Sequence, residues 1–412
     1  MKLALPGSDL KEQIQAMTAI SPDTETSATS TAATGPGSGG STSKPTVQRM
    51  ISLDVFRGLT IAAMILVNNP GTWKSIYGPL RHADWNGWTP TDLVFPFFLF
   101  IVGVSLTLSF ARRRALGASQ SDLLKQVVRR TLIIFALGLL LNGFPYYDLS
   151  RIRIPGVLQR IALCYFFAAL IYLTTRIRGQ ILATVGLLGG YWVVMTAVPI
   201  PGTGYSALTM QSNLAAHIDN ALLHGHIYRP TWDPEGLLST LPAIASVLLG
   251  ILTAHWLRVA KSPLSRTRGL LLGGAMGILI GQLMSLWFPI NKNLWTSSYT
   301  VFTAGMALVL FGICYWIIDV QGYRKWAVPL EVYGTNAIAV YVLSGLAAKA
   351  SVTWKVAQAD GSRVLIQTFL YTKFFAPLAS PINASLLWAL AYVVFWLGVM
   401  WVFYWKRIFI KI

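Results

Sequence analysis

From about residue 50 onward, apolar residues come in runs of close to twenty, separated by short polar clusters. A helix needs ~20 apolar residues to cross ~30 Å of hydrocarbon, and ten runs approach that length. They predict spans at approximately 51–69, 92–111, 127–144, 157–175, 179–198, 236–257, 268–288, 298–318, 327–347 and 383–405. Backbone amides in lipid must be satisfied within their own segment, so these runs are helices; the alternating ~10-residue pattern of a membrane barrel is absent. The predicted fold is all-α, a polytopic membrane protein with about ten transmembrane helices. Residues 1–48 differ in kind. Ser, Thr, Gly and Pro fill the stretch from Thr24 to Thr46 without apolar periodicity, which predicts a disordered tail. That tail lacks the basic start, apolar core and small-residue cleavage site of a secretory signal. The chain thus divides into a tail, 1–48, and a membrane domain, 49–412.

Composition agrees. Of 412 residues, 54% are hydrophobic and only 12% charged, about half the charge of an ordinary globular chain, which excludes a large soluble core. Cys164 and Cys314 both lie within apolar runs, which excludes a disulfide framework or a thiolate metal cluster. The net charge of +18 comes from short clusters between spans rather than from a basic stripe, so it sets membrane topology and implies no nucleic-acid partner. With both termini cytoplasmic, 22 of the 33 Lys and Arg residues fall on the inner side, as the positive-inside rule requires. The same orientation places His82, His217, His224 and His226 outside and only His255 inside. Imidazole chemistry near neutral pH would then face outward.

The first outer segment concentrates polar groups at one membrane boundary: Asn68 and Asn69, then His82-Ala83-Asp84-Trp85-Asn86-Gly87-Trp88-Thr89-Pro90-Thr91-Asp92. Each would be costly if left unpaired in lipid. One reading is an interfacial loop with Trp anchors and Asp92 as a helix N-cap. The other is an active-site loop in which His82 removes a proton from an attacking amine or hydroxyl.

Seven separated motifs then occur in order. They are Asp54-Val55-Phe56-Arg57-Gly58, Val67-Asn68-Asn69, the segment from His82 to Pro96, Ile152 to Arg160, Asp233 to Leu238, Pro289-Ile290-Asn291-Lys292-Asn293-Leu294-Trp295 and Gly334 to Ile338. Together they resemble the heparan-α-glucosaminide N-acetyltransferase family over about residues 49–405. The resemblance implies a transmembrane acyltransferase that uses cytosolic acetyl-CoA to acetylate a glucosamine-type amine or glycan on the far side of the membrane. It implies a multi-pass protein of the cell inner membrane, compatible with a homodimer, and a bacterial-type member in which a short tail replaces the outer N-terminal domain and extra first span of the animal enzymes. It carries the catalytic histidine onto His82, as base or as acetyl carrier, and the neighbouring asparagine onto Asn68 or Asn69.

The remaining polar clusters each admit two readings. Asp54 and Arg57, spaced i, i+3, read as a structural ion pair or a donor contact. Arg112, Arg113, Arg114, Arg129 and Arg130 set topology and touch lipid headgroups, or hold coenzyme A phosphates. Arg153 and Arg160 flank the fourth span, with Arg160 expected to pair with Asp92, Asp84 or Glu235. Asn291, Lys292, Asn293 and Trp295 could hydrogen-bond and stack on a sugar, or form an interfacial anchor. His224-Gly225-His226 with His217, Asp219, Asp233 and Glu235 invites zinc, but without a fixed third ligand spacing the loop reads better as an acceptor surface, and no metal is expected. Glu331 and Asn336 read as interhelical hydrogen-bond partners. The pocket residues expected around His82 are therefore Asp84, Trp85, Asn86, Asp92, Arg153, Arg160, Glu235, Asn291, Lys292, Asn293 and Trp295. The competing function is a sugar transporter, for N-acetylglucosamine or a similar sugar, without chemistry; a catalytically idle scaffold is a third. No internal repeat is visible, which counts against the commonest transporter architectures.

Overall fold

A computed structural model describes residues 50–358 and 361–410. The predicted tail, 1–48, lies outside the described residues. Helices form where the apolar runs place them: α1 Ile51–Asn68, α2 Pro90–Ala115, α3 Gln120–Gly143, α4 Val157–Thr174, α5 Ile177–Ala197, a short α6 Leu214–Leu223, α7 Thr240–Val259, α8 Pro263–Met284, α9 Ser297–Tyr315, α10 Val328–Thr335, α11 Ala337–Ser351, a single turn α12 Ile366–Leu370, and α13 Pro381–Trp405. A two-stranded antiparallel hairpin, β1 Lys355–Ala357 with β2 Arg363–Leu365, lies between α11 and α12. The molecule is an all-α, multi-pass membrane protein. Among the described residues, eight helices suffice by length and composition to cross a membrane, or nine if α10 and α11 form one broken span. The tenth predicted segment is α3, 24 residues long, which carries Arg129 and Arg130.

The helix starts follow local chemistry. Proline opens α2, α8 and α13, where its missing N–H costs nothing. Ser119 and Ser262 cap α3 and α8 by accepting from the N–H groups of Asp122 and Ser265, each at 3.1 Å.

The centre of the bundle is built from α1, α2, α7 and α9, where Phe56, Leu99, Val104, Leu248 and Phe311 are wholly buried. α5, α8 and α13 bury little of their apolar surface against the rest. They present it to lipid. Small residues set the closest crossings, as expected where lipid and side chain are equally apolar. A Cβ on Gly103 would stand 2.0 Å from the Val247 carbonyl oxygen, and one on Gly250 would stand 2.1 Å from that of Phe100, so α2 and α7 touch backbone to backbone. Gly58 and Gly334 make the same kind of contact between α1 and α10, at 1.7 Å from the Leu330 oxygen and 2.0 Å from the Asp54 oxygen.

The ninth predicted span, 327–347, is not one helix. α10 and α11 meet at Asn336 with a 72° bend. The break is anchored through a side chain: Asn336 donates from Nδ2 to the Ile408 carbonyl at 3.0 Å and accepts from the Ile410 N–H at 2.9 Å. Its side chain ties the break to the segment after α13 rather than bridging two helices, as the sequence reading expected.

Backbone contact at these crossings predicts that Gly250→Val and Gly334→Val destabilise the fold by at least the ~1–3 kcal/mol typical of overpacking. Gly398→Val, whose Cβ meets open space, should be neutral. Thermal unfolding in detergent checks this; an unchanged midpoint for the first two would remove the packing account.

Candidate active site

Both ends of the bundle carry a cavity. At the end where α1 stops and α2 starts, the connecting loops enclose a volume of about 920 Å³. Its wall includes Asn68, His82, Asp84, Arg153, Glu235, Lys292 and Asn293, all expected from sequence. Tyr228, Arg229 and Trp232 also line it, and sequence reasoning did not single them out. Their signal was present in the aromatic and basic density just before the Asp-Pro-Glu motif.

Asp92 organises this end. It is the third residue of α2, not its N-cap, and its Oδ2 accepts from the N–H groups of Thr89 and Ala83, each at 3.0 Å. A carboxylate there is favoured by the positive end of the helix. Its Oδ1 lies 2.7 Å from Nδ1 of His82. The carboxylate is 1% exposed and the imidazole 45% exposed, so a buried anchor holds an accessible ring. A proton on Nδ1 is the arrangement that satisfies Asp92, and it leaves Nε2 as an acceptor, with the Lys292 ammonium 3.2 Å away. The ammonium of Lys292 lies 3.7 Å from Asp92 Oδ1 and 3.0 and 3.2 Å from the two ring nitrogens of His82. Burial draws the Lys292 ammonium below its ordinary pKa, against the opposing pull of Asp92 and Glu235.

The loop carrying Lys292 is fixed by its neighbour. Asn291 is fully buried, accepts from the Leu294 N–H at 2.9 Å and donates to Asn86 at 3.1 Å. Asn291 and Asn86 therefore shape the wall and do not line it. Asn69 is likewise turned inward, donating to the Ile65 carbonyl at 2.7 Å, whereas Asn68 faces the cavity. Trp85 donates to the Leu208 carbonyl at 2.8 Å and meets Trp232 edge-on. Trp295 is 1% exposed and packs against Phe95 and Tyr299, which rules out both the interfacial anchor and the sugar-stacking roles.

Arg160 does not pair with Asp92, Asp84 or Glu235. It donates to the Gly236 carbonyl at 2.9 Å and to Ser239, and its guanidinium stands 5.2 Å from the Trp295 ring centre. The carboxylates go to Arg153 instead, which forms a fork on Asp233 at 2.8 and 2.6 Å and also binds Glu235. Arg153 lies one helical turn before the span, in the loop that faces them; Arg160 is already inside the bundle. In the histidine-rich loop, His226 Nδ1 pairs with the Ile152 carbonyl and His224 Nδ1 with Asn220. Among the described residues, no group of three His, Cys, Asp or Glu is placed to hold a metal ion.

The second cavity, of about 310 Å³, opens toward the far end of α2. Arg57, Ser105, Ser109, Arg113, Arg130 and Tyr165 line it. Arg112 and Arg129 do not. Asp54 holds Arg57 at 2.9 Å, the structural ion pair expected from their spacing, and Arg57 also reaches Ser105 at 2.8 Å. Three buried atoms in the wall have no partner, Gln126 Oε1, Arg130 Nε and Tyr165 Oη. Unmet polar groups around an empty volume are what a polar ligand would satisfy. Between the cavities lies an apolar seam of Ile61, Met64, Phe98, Val157, Ile161, Ile338 and Tyr341, which shares residues with both.

The catalytic-region model of heparan-alpha-glucosaminide N-acetyltransferase matches residues 49–287. The human heparan-alpha-glucosaminide N-acetyltransferase is 30% identical over 71% of this chain, and the mouse protein of that name 30% identical over 73%. The chain belongs to this family. It spans about half the length of the curated relatives it matches, 52% of the human and 54% of the mouse protein. The matched segment of the heparan-alpha-glucosaminide N-acetyltransferase model holds Asn68, His82, Asp92, Arg113, Arg130 and Glu235, so it reaches into both cavities; Lys292 lies beyond it.

One buried carboxyl supports the loops at the His82 end at a cost. Desolvation raises the Asp219 pKa to about 6, and the Leu237 N–H on its carboxylate, at 2.8 Å, opposes that rise. A folded-state pKa above the unfolded value means this group's contribution is fully present below pH ~4 and lost as pH rises through about 6. Asp219→Asn keeps the acceptor and removes the charge. It should raise the unfolding midpoint at pH 7.5 and leave it unchanged at pH 4; equal shifts at both pH values would show that the charge is not responsible.

Proposed function

We propose that the chain is an acetyl-CoA-dependent membrane N-acetyltransferase in which His82 serves as the base that activates an amine acceptor, an amino sugar by family. The observation that carries this reading is the Asp92–His82–Lys292 cluster, which sits in a cavity joined by an apolar seam to a basic one. The end with Arg113 and Arg130 faces the cytoplasm on the positive-inside pattern, and the His82 end faces outward, across the inner membrane of the cell.

Acetyl-CoA fits the basic cavity chemically. Arg57, Arg113 and Arg130 offer charge to phosphates, while Gln126 and Tyr165 have unused polar atoms for the amides of its arm. The seam is closed in this structure, with a volume of about 10 Å³, so Met64, Phe98 and Tyr341 must part to bring a thioester to His82. At the outer end Asp92 fixes the ring through Nδ1, and Nε2 takes the proton that the acceptor nitrogen loses as it attacks the thioester carbonyl. His82 then returns that proton to the departing thiolate. Lys292 and Asn68 are placed to donate to the oxyanion that forms between these events, an effect typically worth ~10²–10³ in rate. Asp84, Glu235 and Arg153 with Tyr228, Arg229 and Trp232 supply the acceptor side of the cavity, where aromatic faces suit a sugar ring.

Release of coenzyme A thiol tests this. Wild-type protein should release thiol from acetyl-CoA only when an amino sugar such as glucosamine is present. His82→Ala should lose activity by about 10²-fold or more while still binding acetyl-CoA, and Asp92→Asn should lose a comparable factor by freeing the ring. Full turnover in His82→Ala would overturn the base, and one stoichiometric burst without acceptor would make His82 the acetyl carrier instead. Sugar flux into proteoliposomes without donor, together with no thiol release, would favour transport.

The donor cavity makes a separate kinetic forecast. Arg113→Gln and Arg130→Gln should raise KM for acetyl-CoA by about tenfold each and leave KM for the amine unchanged. An effect confined to the amine would put the donor elsewhere.

A further inference from the structure

The arginines that end α2 do not share a destination. Arg113 lines the basic cavity described above, whereas Arg114 turns to a separate cavity of about 720 Å³ that shares no lining residue with it. Arg176 and Arg178 at the start of α5 and Arg258 at the end of α7 complete this second wall, with His255 at its base. Among the described residues, none of the four guanidinium groups forms an ion pair or a hydrogen bond to a carboxylate. Arg114 stacks instead on Tyr172, 5.5 Å from the ring centre. The base is ordered: His255 Nε2 lies 3.0 Å from Gln180 Oε1, and its ring stacks on Tyr172 at 5.6 Å and 17°.

Four cations around one hollow repel each other, and their position sharpens the problem. Arg176 and Arg178 sit at the positive end of the α5 dipole, where cations are disfavoured. The first turn holds no acidic residue and no side chain caps it, so no group of α5 itself offsets the cations gathered at its start. An anion would answer both features at once. Guanidinium forks match tetrahedral oxyanions with paired donors, and a helix start adds backbone donors.

We propose that this cavity binds a phosphate-bearing anion, at a site separate from the one assigned to the acyl donor. It lies at the end of the bundle opposite His82, where the apolar helices α2, α5 and α7 end or begin, so the phosphate comes either from an anionic phospholipid or from a soluble polyphosphate. The shared chemistry is a doubly contacted phosphate. This inference does not depend on the acyl-transfer reading, since an inactive protein would bind the same anion.

Native mass spectrometry of the full chain in neutral detergent tests it, with inorganic pyrophosphate and short-chain phosphatidylglycerol titrated separately. Wild type should take up ligand saturably, and the Arg176→Gln/Arg258→Gln double variant should bind about tenfold more weakly or worse. Arg113→Gln should bind it as wild type does. Saturation by pyrophosphate assigns the soluble source, and saturation by the lipid alone assigns the headgroup. Equal binding of both ligands by wild type and double variant, or no binding by wild type, overturns the proposal. Should the double variant fail to fold, Arg178→Gln at its exposed position serves in its place, with a loss of about threefold or more expected.

Discussion

The carboxylate of Asp92 is the interaction on which the His82 end of the bundle depends. It sits in the first turn of α2, so it belongs to a rigid element that runs through the whole bundle. From there it binds the backbone on both sides of the His82 loop and the imidazole itself, while Lys292 approaches from the opposite wall. One group thus joins the start of α2 and the His82 loop just before it to a loop two hundred residues away. Its main-chain carbonyl also accepts from Tyr299 on α9, so the helix that carries the carboxylate is itself held from the centre of the bundle. A reactive ring is useful only if its orientation is fixed before substrate arrives. Here the fixing is done by the start of a helix, not by the loop that bears the ring.

The bilayer explains why polar chemistry is divided between two ends. Unpaired polar groups are too costly at mid-depth, so the middle of α2, from Phe95 to Val104, meets its neighbours through apolar side chains and glycine. Polar residues reappear one helical stripe at a time toward the far end, with Ser105, Ser109 and Arg113 spaced by four on one face of α2. The seam of Met64, Phe98 and Tyr341 is where the two regimes meet. Keeping it apolar maintains a barrier to water and ions, and its short length along α2, about 9 Å from Asp92 to Phe98, limits how far a thin ligand would have to pass.

Legibility followed the range of the interaction. Helices, their order and the first motif region could be read because each depends on residues adjacent in sequence: apolar runs, a proline at a helix start, Asn68 and His82 flanking one short connection. The Asp54–Arg57 pair could be read for the same reason. What could not be read was direction. Asn68 and Asn69 are neighbours, yet one faces the cavity and the other bonds back to Ile65, and Lys292 and Trp295 in one loop point to solvent-lined and buried sides. The partner of Arg160 was misassigned because charge complementarity says nothing about depth; Arg153, in the loop seven residues earlier, had the position that carboxylates could reach. The break at Asn336 was hidden because its compensating bonds come from residues 408–410, some seventy positions away.

The charges around His82 point to the form in which an acceptor reacts. An amine in water near neutral pH carries a proton and cannot attack. Bringing a second cation beside the ammonium of Lys292 costs Coulomb energy, and more so in a partly buried cavity than in water. Lys292 therefore disfavours an acceptor that keeps its proton, while Asp84 on the same wall favours the approach of one that still has it; Glu235 is already bound by Arg153. Attraction at the rim and repulsion at the ring together create a gradient for deprotonation along the path to Nε2. Asp92 cannot collect that proton itself, because its oxygens are taken up by Thr89, Ala83 and Nδ1. On the acyl-transfer reading, the proton goes to Nε2 of His82, which an acceptor reaches by displacing the Lys292 ammonium from beside it.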